Sequence, residues 1–215
     1  MISFLKKLQK NNRKGWIDEN RDAYDLARKD FENLVKEVII AIASFDSSLS
    51  NTEAKSCIFR INRDVRFSKN KSPYKTNFAA YFHEDGKKGE GAGYYLHMEP
   101  GASFLAAGIW MPEPKVCAAI RQEIDYQFEE WNSMLKKSKF KKQFPDGFNQ
   151  SMKLIRPPKG YEETNPAIEY LKLKSFIVQQ KLPDEVWQYK NRISIIKTCF
   201  EASKDLVDFL NRARD

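Results

Sequence analysis

Histidine and cysteine are scarce in this chain, two and three residues among 215. The cysteines, Cys57, Cys117 and Cys199, are odd in number, far apart and each set among apolar neighbours. That argues against a disulfide framework and a zinc knuckle and predicts reduced, buried thiols. With only His83 and His97 available, a metal site would have to recruit carboxylates such as Asp85 or Glu99. No ligand spacing characteristic of zinc occurs, so no metal is expected. Long apolar runs are missing as well: none approaches the roughly 18 residues of a membrane span, and lysines interrupt the opening Met-Ile-Ser-Phe-Leu-Lys-Lys-Leu-Gln-Lys before a signal-peptide core can form. The expected compartment is the cytoplasm, with no membrane partner. Internal repeats, linkers and low-complexity tracts are absent, and the length suits one domain over residues 1–215 with one sizeable core.

What the chain has in quantity is local positive charge. The formal net charge is +8. Residues 55–75 contribute Lys55, Arg60, Arg63, Arg66, Lys69, Lys71 and Lys75 against the single acid Asp64. A second run, Lys136, Lys137, Lys139, Lys141 and Lys142, contains no acid, so the remainder of the chain is net acidic. Clustered charge of this kind points to an anionic partner, either an anionic small molecule or nucleic acid.

Apolar periodicity sets the elements. Phe4, Leu5 and Leu8 suit a short amphipathic helix that Asn11-Asn12 and Gly15 interrupt. From Trp16 onward, Tyr24, Ala27, Phe31, Leu34, Val35, Val38 and Ile42 recur at helical steps. Strands are expected over 56–62, 76–84, 94–99 and 103–111, the second and third joined by the glycine-rich turn that follows Asp85, which reads as a hairpin tip. After Pro112 and Pro114, Val116, Ile120, Ile124, Phe128 and Trp131 mark another long helix. Short strands are expected at 151–156 and 175–179, a helical turn after Asn165-Pro166, and a C-terminal helix carrying Val186, Ile193, Ile196, Phe200, Leu206, Phe209 and Leu210. The expected class is α+β: a mainly antiparallel sheet of about five to six strands packed by N-terminal, middle and C-terminal helices.

Three stretches match a larger pattern. They are Phe-Leu-x-x-Leu-x-x-Asn-Asn-x-x-x-Trp from Phe4 to Trp16, Arg-Ile-x-Arg-Asp-x-Arg-Phe-Ser-x-x-Lys-Ser-Pro-Tyr-Lys from Arg60 to Lys75, and Gly-Tyr-Tyr-x-x-x-Glu-Pro-Gly from Gly93 to Gly101, with Ser103 after it. With Pro112-Glu-Pro, Arg121, Arg156-x-Pro-Lys-Gly-Tyr and Lys174-Ser, the chain resembles a bacterial and fungal conserved-hypothetical family, domain of unknown function 2461. The resemblance covers nearly the whole chain and implies that Arg60, Arg63, Asp64, Arg66, Lys71, Tyr74, Lys75 and Glu99 belong to a shared pattern. It carries over no reaction, cofactor or catalytic residue. The lysine run at 136–142 lies outside the pattern.

The candidate anion-binding residues are therefore Arg60, Arg63, Arg66, Lys71, Tyr74 and Lys75, on a strand-loop-strand whose guanidinium groups suit phosphate or carboxylate oxygens. Strand alternation puts Tyr95, His97 and Glu99 on one face, so Glu99, His97 and Asp64 are the acid/base candidates should chemistry follow binding. The expected function is binding of an anionic, phosphate-bearing ligand. The alternatives are nucleic-acid binding, with Phe67 or Tyr74 stacking on a base, or an enzyme using Glu99, Asp64 or His97. The bland alternative is an ion-pair cluster in which Asp64 and Glu99 tie the basic loop to the sheet. The residues leave cofactor, oligomeric state and reaction open.

Overall fold

A computed structural model describes residues 1–214. The chain forms two compact units made of interleaved stretches. One comprises Met1–Gly89, Tyr95–Leu105 and Lys181–Thr198; the other comprises Glu90–Tyr94, Ala106–Gln180 and the chain from Cys199 on. Four strands, β1 (Phe78–Phe82), β2 (Gly93–Met98), β3 (Phe104–Ile109) and β4 (Phe176–Lys181), form one antiparallel sheet in chain order.

The first unit opens with three helices, α1 (Ile2–Lys10), α2 (Lys14–Glu19) and α3 (Arg21–Ala43). The expected stripe of α3 is its buried face: Ala27, Phe31, Leu34, Val35, Val38, Ile39 and Ile42 are all buried. Each large side chain there contributes about 1.5–3 kcal/mol by leaving water. Phe31 stacks on Phe78 at 5.2 Å, Phe4 stacks on Phe78 at 6.4 Å, and Phe4 meets Trp16 at 5.7 Å. This aromatic group fixes the first residue of β1, and with it the backbone that leads into the strand.

The sheet has four strands, not the five to six expected, and the physical reasons differ at the two missing strands. Residues 56–62 begin inside a helical turn, α4 (Ala54–Cys57), and then touch the neighbouring backbone only through isolated antiparallel bridges, Ile58 to Ala80 and Asn62 to Tyr74. Between those bridges four residue steps on one side face six on the other, so the ladder is broken by a bulge at 75–77. At 151–156 no strand forms. Pro157 and Pro158 have no N–H to donate, and the pairing moves earlier, to a bridge between Phe148 and Val178 with Asn149 N–H donating to the Ile177 carbonyl at 3.0 Å.

In the second unit the long middle helix is broken at Gln127 (φ −111°, ψ 38°) into α5 (Pro114–Tyr126) and α6 (Phe128–Lys136), followed by α7 (Ser138–Gln143). Pro114 starts α5 as expected. The helical turn after Asn165-Pro166 is α8 (Ile168–Leu171), opened by the Asn165 side chain, which accepts from Ala167 N–H at 2.7 Å. Trp131 centres this core, with Phe148 at 5.3 Å, Tyr170 at 5.5 Å and Phe209 at 5.0 Å. Gly108 is required rather than incidental: its φ is +118°, and an added Cβ would lie 1.9 Å from the Phe176 carbonyl oxygen. The C-terminal helix is likewise segmented into a 3-10 turn (Asp184–Gln188), α9 (Arg192–Ala202) and α10 (Lys204–Arg212).

The three cysteines are free and buried, and burial raises each thiol above its ordinary value, Cys199 to about 12. Among the described residues no helix is long and apolar enough to cross a membrane.

Candidate functional site

The site is built in the first unit, where the irregular ribbon of residues 58–62 and 74–80 runs beside β2. The ribbon is pinned from outside by Asn12. Its side-chain amide donates to the Tyr74 carbonyl at 2.9 Å and accepts the Tyr74 N–H at 3.1 Å, imitating one rung of a sheet ladder. Phe59 N–H to Ala79 O at 3.0 Å and Lys75 N–H to Ile61 O at 2.7 Å hold the two sides together around the bulge.

The bulge turns Thr76 and Asn77 toward β2. Thr76 Oγ1 donates to Glu99 Oε1 at 2.5 Å, and His97 Nε2 lies 3.0 Å from Glu99 Oε2. His97 Nδ1 is 3.1 Å from the Tyr95 hydroxyl and 3.5 Å from Asn77 Nδ2. Burial first, and the Glu99 charge second, push the Tyr95 phenol up to about 12, so its proton stays on at neutral pH. A Glu99 carboxylate can only accept, so the hydrogen between the two side chains lies on His97 Nε2. The chain Tyr95–His97–Glu99–Thr76 is therefore a continuous line of donors and acceptors. The expected alternation along β2 holds: Tyr94, Leu96 and Met98 are buried, while Tyr95 and His97 are partly exposed. The His97 side chain keeps 15% of its exposure and that of Glu99 25%, so the line reaches solvent. Phe104 stacks on His97 at 4.6 Å and restricts the ring to this orientation. Ser103, buried, closes the turn after Glu99 by accepting Glu99 N–H at 3.0 Å and donating to Glu99 O at 2.8 Å, with Trp187 Nε1 donating to the same hydroxyl at 3.1 Å.

The basic residues separate into two groups. Arg66 is spent locally: Nε and one terminal nitrogen donate to the two Asp64 oxygens at 3.0 and 2.6 Å, and this holds the Asp64 carboxyl below its usual range. Arg63 donates to Ser68 Oγ at 3.3 Å and Lys71 Nζ to the Val65 carbonyl at 3.0 Å, so both shape the loop. Arg60 and Lys75, like the exposed Lys55 and Lys69, make neither an ion pair nor a side-chain hydrogen bond among the described residues, and of these four only Lys75 is drawn out of solvent. Lys75 is half-buried, its Nζ 5.5 Å from the Phe59 ring centroid, and burial followed by repulsion from Arg60 lowers its ammonium below the ordinary value. Phe59 in turn meets Tyr95 edge-on at 6.2 Å, which joins the cation pair to the His97–Glu99 line.

Of the sequence candidates, the fold brings together Arg60 with Lys75, His97 with Glu99, and Asp64 with Arg66. Glu99 makes no ion pair with a loop arginine among the described residues; its partners are Thr76 and His97. Tyr74 enters through its backbone. Thr76, Asn77, Asn12 and Phe59 were not singled out by the sequence as site residues, although Asn12 lies in the first quoted motif. His83, Glu84 and Asp85 bring ligand atoms within 4.8 Å of one another, a spacing able to hold a metal ion, but His83 Nδ1 already accepts the Asp85 N–H at 3.1 Å.

A family model described as "Conserved hypothetical protein (DUF2461)" matches residues 1–209, in agreement with the resemblance of the motifs. No curated protein and no solved structure gave a match.

Proposed function

We propose, for a chain that belongs to this conserved hypothetical family and takes no activity from it, that it binds an anionic, phosphate-bearing ligand between Arg60 and Lys75. The observation that carries the reading is the Lys75 ammonium, half-buried against Phe59 beside a second cation and outside any ion pair among the described residues. Holding two like charges together with one of them partly desolvated costs free energy, and a phosphate between them offsets both the repulsion and the lost hydration. Arg63 and Lys71 hold the loop that frames this pair, and Arg66 is discharged by Asp64.

The test is a thermal-shift screen against inorganic phosphate, nucleotides and sugar phosphates at low and moderate salt. A ligand at about a hundred times its dissociation constant stabilises by roughly 2.7 kcal/mol. The expected outcome is a shift that Arg60→Ala and Lys75→Met each remove and Arg66→Ala keeps. A shift equally lost in Arg66→Ala, or none with any anion, overturns the assignment.

A second reading, acid–base chemistry on the bound ligand, draws on the Tyr95–His97–Glu99–Thr76 line, which reaches solvent and joins Lys75 through Phe59. Glu99 and His97 are its acid/base groups, while Asp64, engaged by Arg66, is the weaker candidate. Glu99→Gln should then abolish turnover of a ligand it still binds; equal loss of binding would assign Glu99 to support of the site alone.

A further inference from the structure

Two rings at the edge of this site each carry a cation over one face. Lys75 Nζ lies 5.5 Å from the Phe59 centroid, and the Arg66 guanidinium lies 5.9 Å from that of Phe67. Asp64 grips Arg66 and also feels the charge of Arg60, which in turn acts on Lys75. The Arg66–Asp64 pair and Phe67 lie on the loop that the Asn62–Tyr74 bridge closes, and Lys75 follows that bridge directly. Phe67 is 96% exposed, an apolar ring presented almost entirely to water on a loop where Lys69 and Lys71 are exposed too.

A small phosphate ester needs the central cations and leaves Phe67 without a purpose. A lipid surface is met by broad apolar faces, whereas here one ring stands alone among charges. Single-stranded nucleic acid matches both components, because its phosphates repeat along the strand and its unpaired bases offer faces to aromatic side chains. A duplex hides those faces within its own stack. We propose, building on the phosphate-ligand reading above, that the ligand is single-stranded nucleic acid, with its phosphates against Arg60 and Lys75 and an unpaired base stacked on Phe67.

The experiment is fluorescence anisotropy with labelled single strands of about ten nucleotides, as RNA and as DNA, and with the matching duplex, across a salt series. Phe67→Ala should weaken single-strand binding about five-fold to a hundred-fold, and Phe67→Trp should restore it. Two phosphate contacts, at Arg60 and Lys75, give a slope of about −1.4 for log affinity against log salt. The thermal shift with inorganic phosphate should be the same in Phe67→Ala as in the wild type, which also verifies that the variant folds. A preference for RNA or for DNA identifies the sugar, and either supports the inference. Unchanged strand affinity in Phe67→Ala, duplex bound as well as single strand, or no strand binding alongside a persistent phosphate shift overturns this inference and leaves the anion site standing. Loss of both the phosphate shift and strand binding in the wild type removes the two readings together. Phe67-dependent binding to phosphatidylserine vesicles without strand binding makes the partner a lipid surface and also overturns it.

Discussion

Residues 136–142 are denser in positive charge than residues 55–75, five cations in seven residues against seven in twenty-one, and the two are different surfaces. The second run lies at the end of α6 and along α7, where Lys137 pairs with Asp205 at 2.7 Å and Lys136 borders an open groove with Glu129, Asn132 and Ser133. All five members are exposed, and Lys137 also has Asp205 as a partner, so each cation keeps its water or its counter-charge. In the first run the charges are sorted by the fold. Arg66 goes to Asp64, Lys71 to a carbonyl and Arg63 to a hydroxyl, while Lys75 lies half-buried over the Phe59 ring and feels the charge of Arg60. Cation density alone makes a solvated surface; a ligand site needs cations whose hydration and counter-charge have been partly removed.

This contrast can be broken most directly at its two ends. The double variant Arg60→Ala/Lys75→Met should erase the whole phosphate-dependent stabilisation, about 2.7 kcal/mol at a hundred-fold excess over the dissociation constant, whereas Lys136→Ala/Lys139→Ala should retain it in the same melting assay. If the helix lysines matter equally, the distinction drawn between the regions is wrong. A smaller effect comes from the support of the ribbon. Asn12→Ala removes two hydrogen bonds to the Tyr74 backbone and should cost roughly 1–3 kcal/mol in a denaturant titration while also weakening phosphate binding, since Lys75 follows Tyr74 directly. Thr76→Val leaves Glu99 Oε1 without its donor and should cost about 1 kcal/mol by the same measurement.

The finest test uses the sign of the Lys75 shift. Its folded-state value is lowered, so the charged form is the one the fold disfavours, and the penalty is fully present at neutral pH. It is relieved as pH rises from the folded value through the ordinary lysine value. Lys75→Met should therefore melt at the wild-type temperature or slightly above it without ligand, even as it loses phosphate binding. A clear fall in melting temperature would mean that the ammonium supports the fold.

Much of the architecture was legible in the residues. The buried stripe of α3, the proline start of α5, the alternation of β2 and the turn after Asn165 all follow from local periodicity and from side-chain and backbone chemistry within a few residues. The breaks at Gln127 and Ser203 were not, because a three- and four-residue apolar rhythm continues across a single residue of non-helical backbone. Nor was the shortened sheet: residues 56–62 have strand composition, but their partner spends two extra residues, and a register mismatch belongs to neither segment alone.

The same division runs through the site. By itself the sequence determined that a dense basic loop would lie between apolar segments and that His97 and Glu99 would share a face, since charge content and period-two alternation are local properties. Only the tertiary structure decided which cations are spent and which are available, because that depends on acids, carbonyls and rings brought close by folding. Asp64 reaches Arg66, Thr76 reaches Glu99 across the bulge, and Phe59 lies beneath Lys75. Ion pairing and desolvation act over a few ångströms of space, and no spacing along a chain reports those distances.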